Sequence, residues 1–300
     1  MSRLGRLLAA SAALSLAAVT AGCASTAATD GPLVVVTTNI LGDVVGELVG
    51  DGAEVLTLMA PDADPHSFEI SAREAARLLD ADLIVSNGLG LEEGLQQHVD
   101  AAEEAGVPVV AAGALIEPLA YSEGDAEGEP DPHFWTDPRR MIEVVDALAP
   151  ALAGAGVPIE PEAYRAELVA LDAELATAFG ALPEERRALV TNHHVFGYLA
   201  ERYGFRVIGA VLPSGTTLAA PSASDLEELT GAIEEAGVPA IFADASQPDR
   251  LAQVLAEEAD LDVDVVALYT ESLTAPDGGA PTYLDMMRAN ARLIVTGLSP

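Results

Sequence analysis

From Leu33 onward, short runs of β-branched and aliphatic residues alternate with stretches whose apolar residues recur every three or four positions. The runs read as buried strands and the periodic stretches as amphipathic helices. Residues 33–38 predict a strand, and 41–49 the helix after it, with Asn39 placed to cap that helix. A strand over 54–59 runs into a polar loop, 60–69. Ser71 followed by Glu74 has the spacing of a capping box and predicts a helix over 71–80. Strand 82–86, helix 92–105 and strand 107–111 complete this first alternation. After an acidic stretch, 121–130, come a helix over 139–152 and a Gly-rich turn at 153–156. A long helix then runs over 161–182, with Pro161 in its first turn. Its stripe is Tyr164, Leu168, Leu171, Leu175 and Phe179.

A second alternation follows. Strands are predicted at 188–191, 205–211, 240–243 and 263–268, and helices at 195–203, 225–236 (capped by Ser222 or Ser224), 247–259 and 283–296. Strands that alternate with helices form mainly parallel sheets covered on both faces. The fold expected is therefore α/β: two lobes, each a mainly parallel sheet flanked by helices, joined by one long backbone helix. The lobes span 32–156 and 183–300 and the linking helix 157–182. In such open sheets ligands sit beyond the carboxyl ends of strands.

Composition narrows the function. Forty-eight acidic residues stand against 14 basic ones, all arginine, for a net charge of −34. Nucleic acid, which needs Lys and Arg partners for its phosphates, is not an expected ligand. A field of this sign attracts cations, although it serves solubility equally well. Residues 1–22 read as a targeting segment: Arg3 and Arg6 precede an apolar stretch over 7–19 that is too short for a membrane span of ~20 residues. Cys23 is the only cysteine, so no disulfide within the chain is possible. The small residues Thr20-Ala21-Gly22 before it resemble the lipobox of bacterial lipoproteins, with Thr20 where Leu is usual; an ordinary secretory signal is the other reading. Lipidation at Cys23 would remove 1–22 as the signal and leave 23–31 as a flexible tether.

The candidate chemistry lies in the histidines. The tripeptide Asp-Pro-His occurs at Asp64-Pro65-His66 and again at Asp131-Pro132-His133, in a chain with five histidines. Proline stiffens the step before each imidazole. His66, His193 and Glu271 each follow a predicted strand, so they can meet His133 in the cleft between the lobes. Three imidazoles and a carboxylate suit a borderline ion such as Zn²⁺. His98 is expected on a helix surface, and Trp135 as packing behind His133. Glu69, Asp64 and Asp137 are candidate acceptors for ligand imidazoles, with helix capping and loop hydrogen bonds an equal reading. There is no nucleophile elbow, phosphate loop or dinucleotide fingerprint.

Five stretches carry a resemblance. They are Pro61-Asp62-Ala63-Asp64-Pro65-His66-Ser67-Phe68-Glu69, Asp131-Pro132-His133-Phe134-Trp135-Thr136-Asp137-Pro138, Thr191-Asn192-His193-His194-Val195-Phe196-Gly197-Tyr198, Tyr269-Thr270-Glu271-Ser272-Leu273, and the 281–290 start of the last helix. Together they resemble the metal-binding solute-binding lipoproteins of ABC importers for zinc and manganese. The resemblance implies two α/β lobes bridged by a rigid helix, an ion between them, and His66, His133, His193 and Glu271 as its ligands. It further implies a chain that is not an enzyme, anchored outside the cytoplasmic membrane through Cys23 and delivering its ion to an ABC permease. A monomer is expected.

Two departures stand out. The family usually has Asp where Glu271 stands, and His194 takes a place more often small or acidic, as a second candidate beside His193. Zinc-type members often carry a His-rich flap, whereas the 121–130 loop here is acidic. Manganese-type relatives place a carboxylate at the third ligand, so three histidines point to zinc, with manganese or iron as the alternative cargo. A secreted zinc hydrolase using Glu271 or Glu69 as general base, and a surface adhesin, are the competing classes.

Overall fold

Each alternation folds into one four-stranded sheet, all parallel, in the computed structural model of the chain, which describes residues 31–122, 124, 126–258 and 263–299. The predicted leader, the lipidation site Cys23 and all but the last residue of the tether lie outside the described residues.

In the first lobe β1 (Leu33–Val36), β2 (Glu54–Thr57), β3 (Leu83–Ser86) and β4 (Val109–Ala111) are ordered β2-β1-β3-β4. Helices α1 (Asn39–Val49), α2 (Ala72–Leu79) and α3 (Gln96–Glu104) connect them. Next come α4 (Pro138–Gly154) and the linking helix α5 (Pro161–Gly180). The second lobe repeats the order as β6-β5-β7-β8, from β5 (Ala188–Thr191), β6 (Arg206–Ala210), β7 (Ala240–Asp244) and β8 (Asp264–Leu268). Its helices are α6 (Gly197–Tyr203), α7 (Ala223–Ala236), α8 (Arg250–Glu258) and α9 (Tyr283–Leu298). In both sheets the chain goes out from the first strand, returns past it and continues the other way. That reversal opens a crevice beyond the strands' carboxyl ends.

The buried stripe of α5 is the expected one: Tyr164, Leu168, Leu171, Leu175 and Phe179. It sits in a central apolar core that takes Val34, Val36 and Val85 from the first sheet and Leu189, Phe242 and Leu268 from the second. Two smaller cores cover the outer faces, one around Val35 and Ile84, the other around Val190 and Ile241. The lobes thus share one continuous hydrophobic interior, and residues 32–300 hold together as a single compact unit.

Local signals behave as their chemistry requires, with three corrections. Ser71 and Ser222 both close capping boxes, with Glu74 and Asp225 respectively, which resolves the choice between Ser222 and Ser224. The cap of α1 is Thr38, whose hydroxyl accepts from Leu41 N–H; Asn39 is already helical and its side chain is used elsewhere. The helix expected over 92–105 begins only at Gln96. Glu92 is withheld from it because its buried carboxylate accepts from Thr37 Oγ1 at 2.5 Å and from the N–H groups of Asn87 and Gly88 at 2.7 and 3.1 Å. Those bonds hold the end of β3 in place, and Asn87 Nδ2 in turn donates to the Pro132 carbonyl beside His133. Finally, β1 stops at Val36 rather than Thr38.

Candidate metal centre

Four loops at the carboxyl ends of the two sheets deliver His66, His133, His193 and Glu271 to one point. All four are buried, none more than 2% exposed. One donor atom from each lies within 4.8 Å of every other. Glu271 Oε1 is 3.0 Å from His66 Nε2, 3.2 Å from His133 Nε2 and 3.2 Å from His193 Nε2. Tetrahedral donors each about 2 Å from a common centre are roughly 3.3 Å apart, so these edges fit a Zn²⁺-sized ion.

The unpaired polar atoms agree. Among the described residues, five buried side-chain N or O atoms lack a hydrogen-bond partner; two of them, His193 Nε2 and Glu271 Oε2, belong to the quartet's facing groups, and a third is the outer His66 Nδ1. His193 Nε2 lies 3.2 Å from Oε1 yet makes no hydrogen bond. Burying a carboxylate with unsatisfied imidazole nitrogens is costly without a compensating cation.

The Asp-Pro-His repeat now has a physical basis. In both copies the Asp Oδ1 accepts from the backbone N–H of the His at 2.9 Å, a tight local turn that projects the imidazole inward. The copies then differ. Asp131 Oδ1 also lies 2.8 Å from His133 Nδ1, so that nitrogen carries the hydrogen and Nε2 faces the centre. Asp64 instead accepts from Ser67 and Thr217 hydroxyls.

His133 titrates well above an ordinary imidazole. Burial opposes its charge, but the Asp131 carboxylate and then Glu271 outweigh that and push it up to about 9. Glu271 is also disfavoured as an anion by burial, yet His193, His66 and His133 hold it well below the ordinary carboxylate range. Asp244, buried at the end of β7, is pushed up to about 6 by burial first and by repulsion from Glu271 second.

Of the two readings for Asp64, Asp137 and Glu69, the structure gives capping and loop hydrogen bonds for Asp137 and Asp64. Asp64, Asp137 and Glu69 do not accept from the imidazoles. Asp137 caps α4 through Arg139 N–H, Glu69 is exposed, and the imidazole acceptors are Asp131 and, for His193 Nδ1, Asn192 Oδ1 at 3.3 Å. Asp131 was legible in the tripeptide, since its twin spacing singles it out; Asn192 carries no sequence signal beyond adjacency. His194 points away from the quartet into a small pocket with Tyr121, Ser122 and Asp131. Burial, then repulsion from His193, lowers its pKa, so it stays neutral. His98 is exposed, as expected. Trp135 packs edge-on to His133 with ring centroids 5.2 Å apart and donates Nε1–H to the Thr270 carbonyl at 2.8 Å, so it steadies both His133 and the segment bearing Glu271.

The 121–130 loop is less free than its length suggests. Its ends pair at Ala120 and Pro130, and the Tyr121 hydroxyl reaches 3.3 Å from His133 Nδ1 and donates to the Gly215 carbonyl at 3.2 Å. A cleft of about 390 Å³ lined by His66, Tyr121, Glu93, Glu129 and the 214–216 loop leads to the site.

The chain is similar to known proteins named for the metals they bind. The chain is 33% identical over 284 residues to the zinc-binding protein TroA of Treponema pallidum, covering 91% of each. It is 28% identical over 276 residues to the manganese-binding lipoprotein MntA of Halalkalibacterium halodurans, covering 90% of this chain and 89% of that one. To the iron-binding protein YfeA of Yersinia pestis it is 28% identical over 274 residues, covering 88% and 85%. The solved structure of TroA superposes with a TM-score of 0.79 at 30% identity, over 90% of this chain and all of that one. With residues 34–297 matching it throughout, the chain belongs to the family of periplasmic zinc-uptake complex component A.

Proposed function

We propose that this protein captures a divalent transition-metal ion, zinc before manganese or iron, outside the cytoplasmic membrane and passes it to an ABC permease. The observation that carries this reading is the convergence of three imidazole Nε2 atoms on Glu271 Oε1 in a buried site. His66, His133, His193 and Glu271 are the proposed ligands, with Asp131 orienting His133. The two carboxylates, Glu271 and Asp131, match the charge of a divalent ion. Three nitrogens and one oxygen favour Zn²⁺, whose affinity at nitrogen sites exceeds that of Mn²⁺. Relatives named for manganese and iron keep those ions as the competing cargo. Relatives named as lipoproteins support an anchor at Cys23, and the working unit is a monomer.

The family is one of transport proteins. Four protein donors leave no position for the activated water of a hydrolase, and Glu69, one candidate base, is exposed. The test is competitive titration of the metal-stripped chain with Zn²⁺ and Mn²⁺. One tight Zn²⁺ per chain that excess Mn²⁺ does not displace is the expected result. Equal or tighter Mn²⁺ binding would reassign the cargo, and no tight ion would overturn the reading.

A further inference from the structure

His133 and His193 have side-chain acceptors for their outer ring nitrogens, but His66 has none: its buried Nδ1 is without a partner among the described residues. The aim of His66 therefore depends on its backbone, and its backbone on Asp64. Asp64 Oδ1 accepts from His66 N–H at 2.9 Å, and Oδ2 accepts from Ser67 Oγ at 2.8 Å within the same loop. The remaining donor comes from the other lobe: Thr217 Oγ1 donates to Oδ2 at 2.6 Å.

Thr217, itself half-buried, belongs to the irregular segment after β6, residues 211–220, whose residues 214–216 line the cleft. The same segment holds the other first-lobe histidine, because the Gly215 carbonyl accepts from the Tyr121 hydroxyl next to His133 Nδ1. One second-lobe loop thus reaches both first-lobe imidazoles through one intermediary each.

We propose that Thr217 is a positioning residue for His66, acting through Asp64, and that the 212–218 loop is a clasp whose opening precedes release of the ion. This rests on the metal-capture reading above. Breaking one hydrogen bond to a carboxylate at the rim frees the histidine with the fewest other restraints, while the shared apolar core stays intact. Release then needs a loop movement rather than a hinge between lobes.

The experiment is stopped-flow transfer of Zn²⁺ from the loaded full chain to a chelator, for wild type, Thr217→Val, Thr217→Ser and Ser67→Ala. Valine keeps the shape and removes the hydroxyl. Release from Thr217→Val is expected to be about tenfold faster, with Thr217→Ser near wild type and Ser67→Ala within about twofold. The metal-free melting temperature, which reports a merely structural role, should be unchanged. Wild-type release from Thr217→Val would overturn the clasp while leaving the metal site standing. Equal acceleration by Thr217→Val and Ser67→Ala would also overturn it, since Asp64 would then be acting within its own loop. Failure of wild type to hold Zn²⁺ would remove the capture reading and the clasp together.

Discussion

Asn39 accepts from the Leu273 N–H at 3.0 Å and donates to Ser272 Oγ at 2.8 Å, tying the start of the first helix to the segment that bears Glu271. The same amide donates to the Ala60 carbonyl at 3.1 Å, and the Leu273 carbonyl accepts from Asp62 N–H. On the other side of Glu271 the Thr270 carbonyl is held by Trp135, whose own carbonyl accepts from the Tyr283 hydroxyl at 2.7 Å. The one carboxylate of the site is thus fixed from both flanks by first-lobe residues. Replacing Asn39 with Ala leaves the buried Leu273 N–H unpaired, a loss of about 1–3 kcal/mol. The expected outcome is a lower melting temperature with weaker Zn²⁺ binding, read by thermal unfolding and by competition with a chromogenic chelator.

His133→Ala and His193→Ala should each lower Zn²⁺ affinity by at least about a hundredfold, because each removes one of four donors. His194→Ala should change it by less than about threefold, since His194 lies outside the quartet. Titration calorimetry with a competing chelator separates the two histidines; a large effect at His194 and none at His193 would reverse their roles.

Asp131→Asn retains an acceptor for the His133 backbone but removes the charge facing Nδ1. Loss of such a partner commonly costs 10–100-fold in metal affinity. The His133 titration should fall well below about 9 in the metal-free variant, because Asp131 is the first of the groups that raise it. Histidine ring resonances followed by NMR across pH check both parts.

The ion must displace a proton from His133, which is protonated below about 9 in the metal-free site. Apparent Zn²⁺ affinity should therefore already be falling as pH drops from 9 to 7, by up to about tenfold per unit. This is earlier than the roughly 6.5 of an ordinary imidazole. Calorimetry in buffers of different ionisation enthalpy should show about one proton released per ion at pH 7.5.

Stability of the metal-free chain follows the same linkage. Raised above its unfolded value, His133 contributes stability that is full below about pH 6.5 and lost as pH rises through about 9. Asp43, Asp137 and Asp244, each pushed up to about 6 chiefly by burial, also bind protons more tightly folded than unfolded, so their contribution declines between about pH 4 and 6. Glu271, held low, acts in the opposite sense in acid. The melting temperature of the metal-free protein should thus decrease from pH 7 to 9.5, and that of the zinc-loaded protein should not.

What the sequence determined by itself is the order of elements and the candidate histidines and carboxylate of the proposed site. Among the described residues, periodicity located the strands and the long helices, because burial on a sheet face or along the α5 stripe leaves a pattern that short-range sequence preserves. The repeated Asp-Pro-His tripeptides likewise marked His66 and His133, since the turn that aims each imidazole is made within three residues. Tertiary structure alone decided which neighbours serve those donors. The Asn39 amide, read locally, is a helix cap, and only the meeting of the lobes makes it a partner of Ser272 and Leu273, more than two hundred residues away. Glu92 loses its helix to a buried bond with Thr37 for the same reason. The gathering of His193 rather than His194 beside Glu271, and the reach of Thr217 to Asp64, rest on where a side chain points after two sheets have packed on one core. No spacing in the chain encodes that direction, because it is set by contacts between segments remote in sequence.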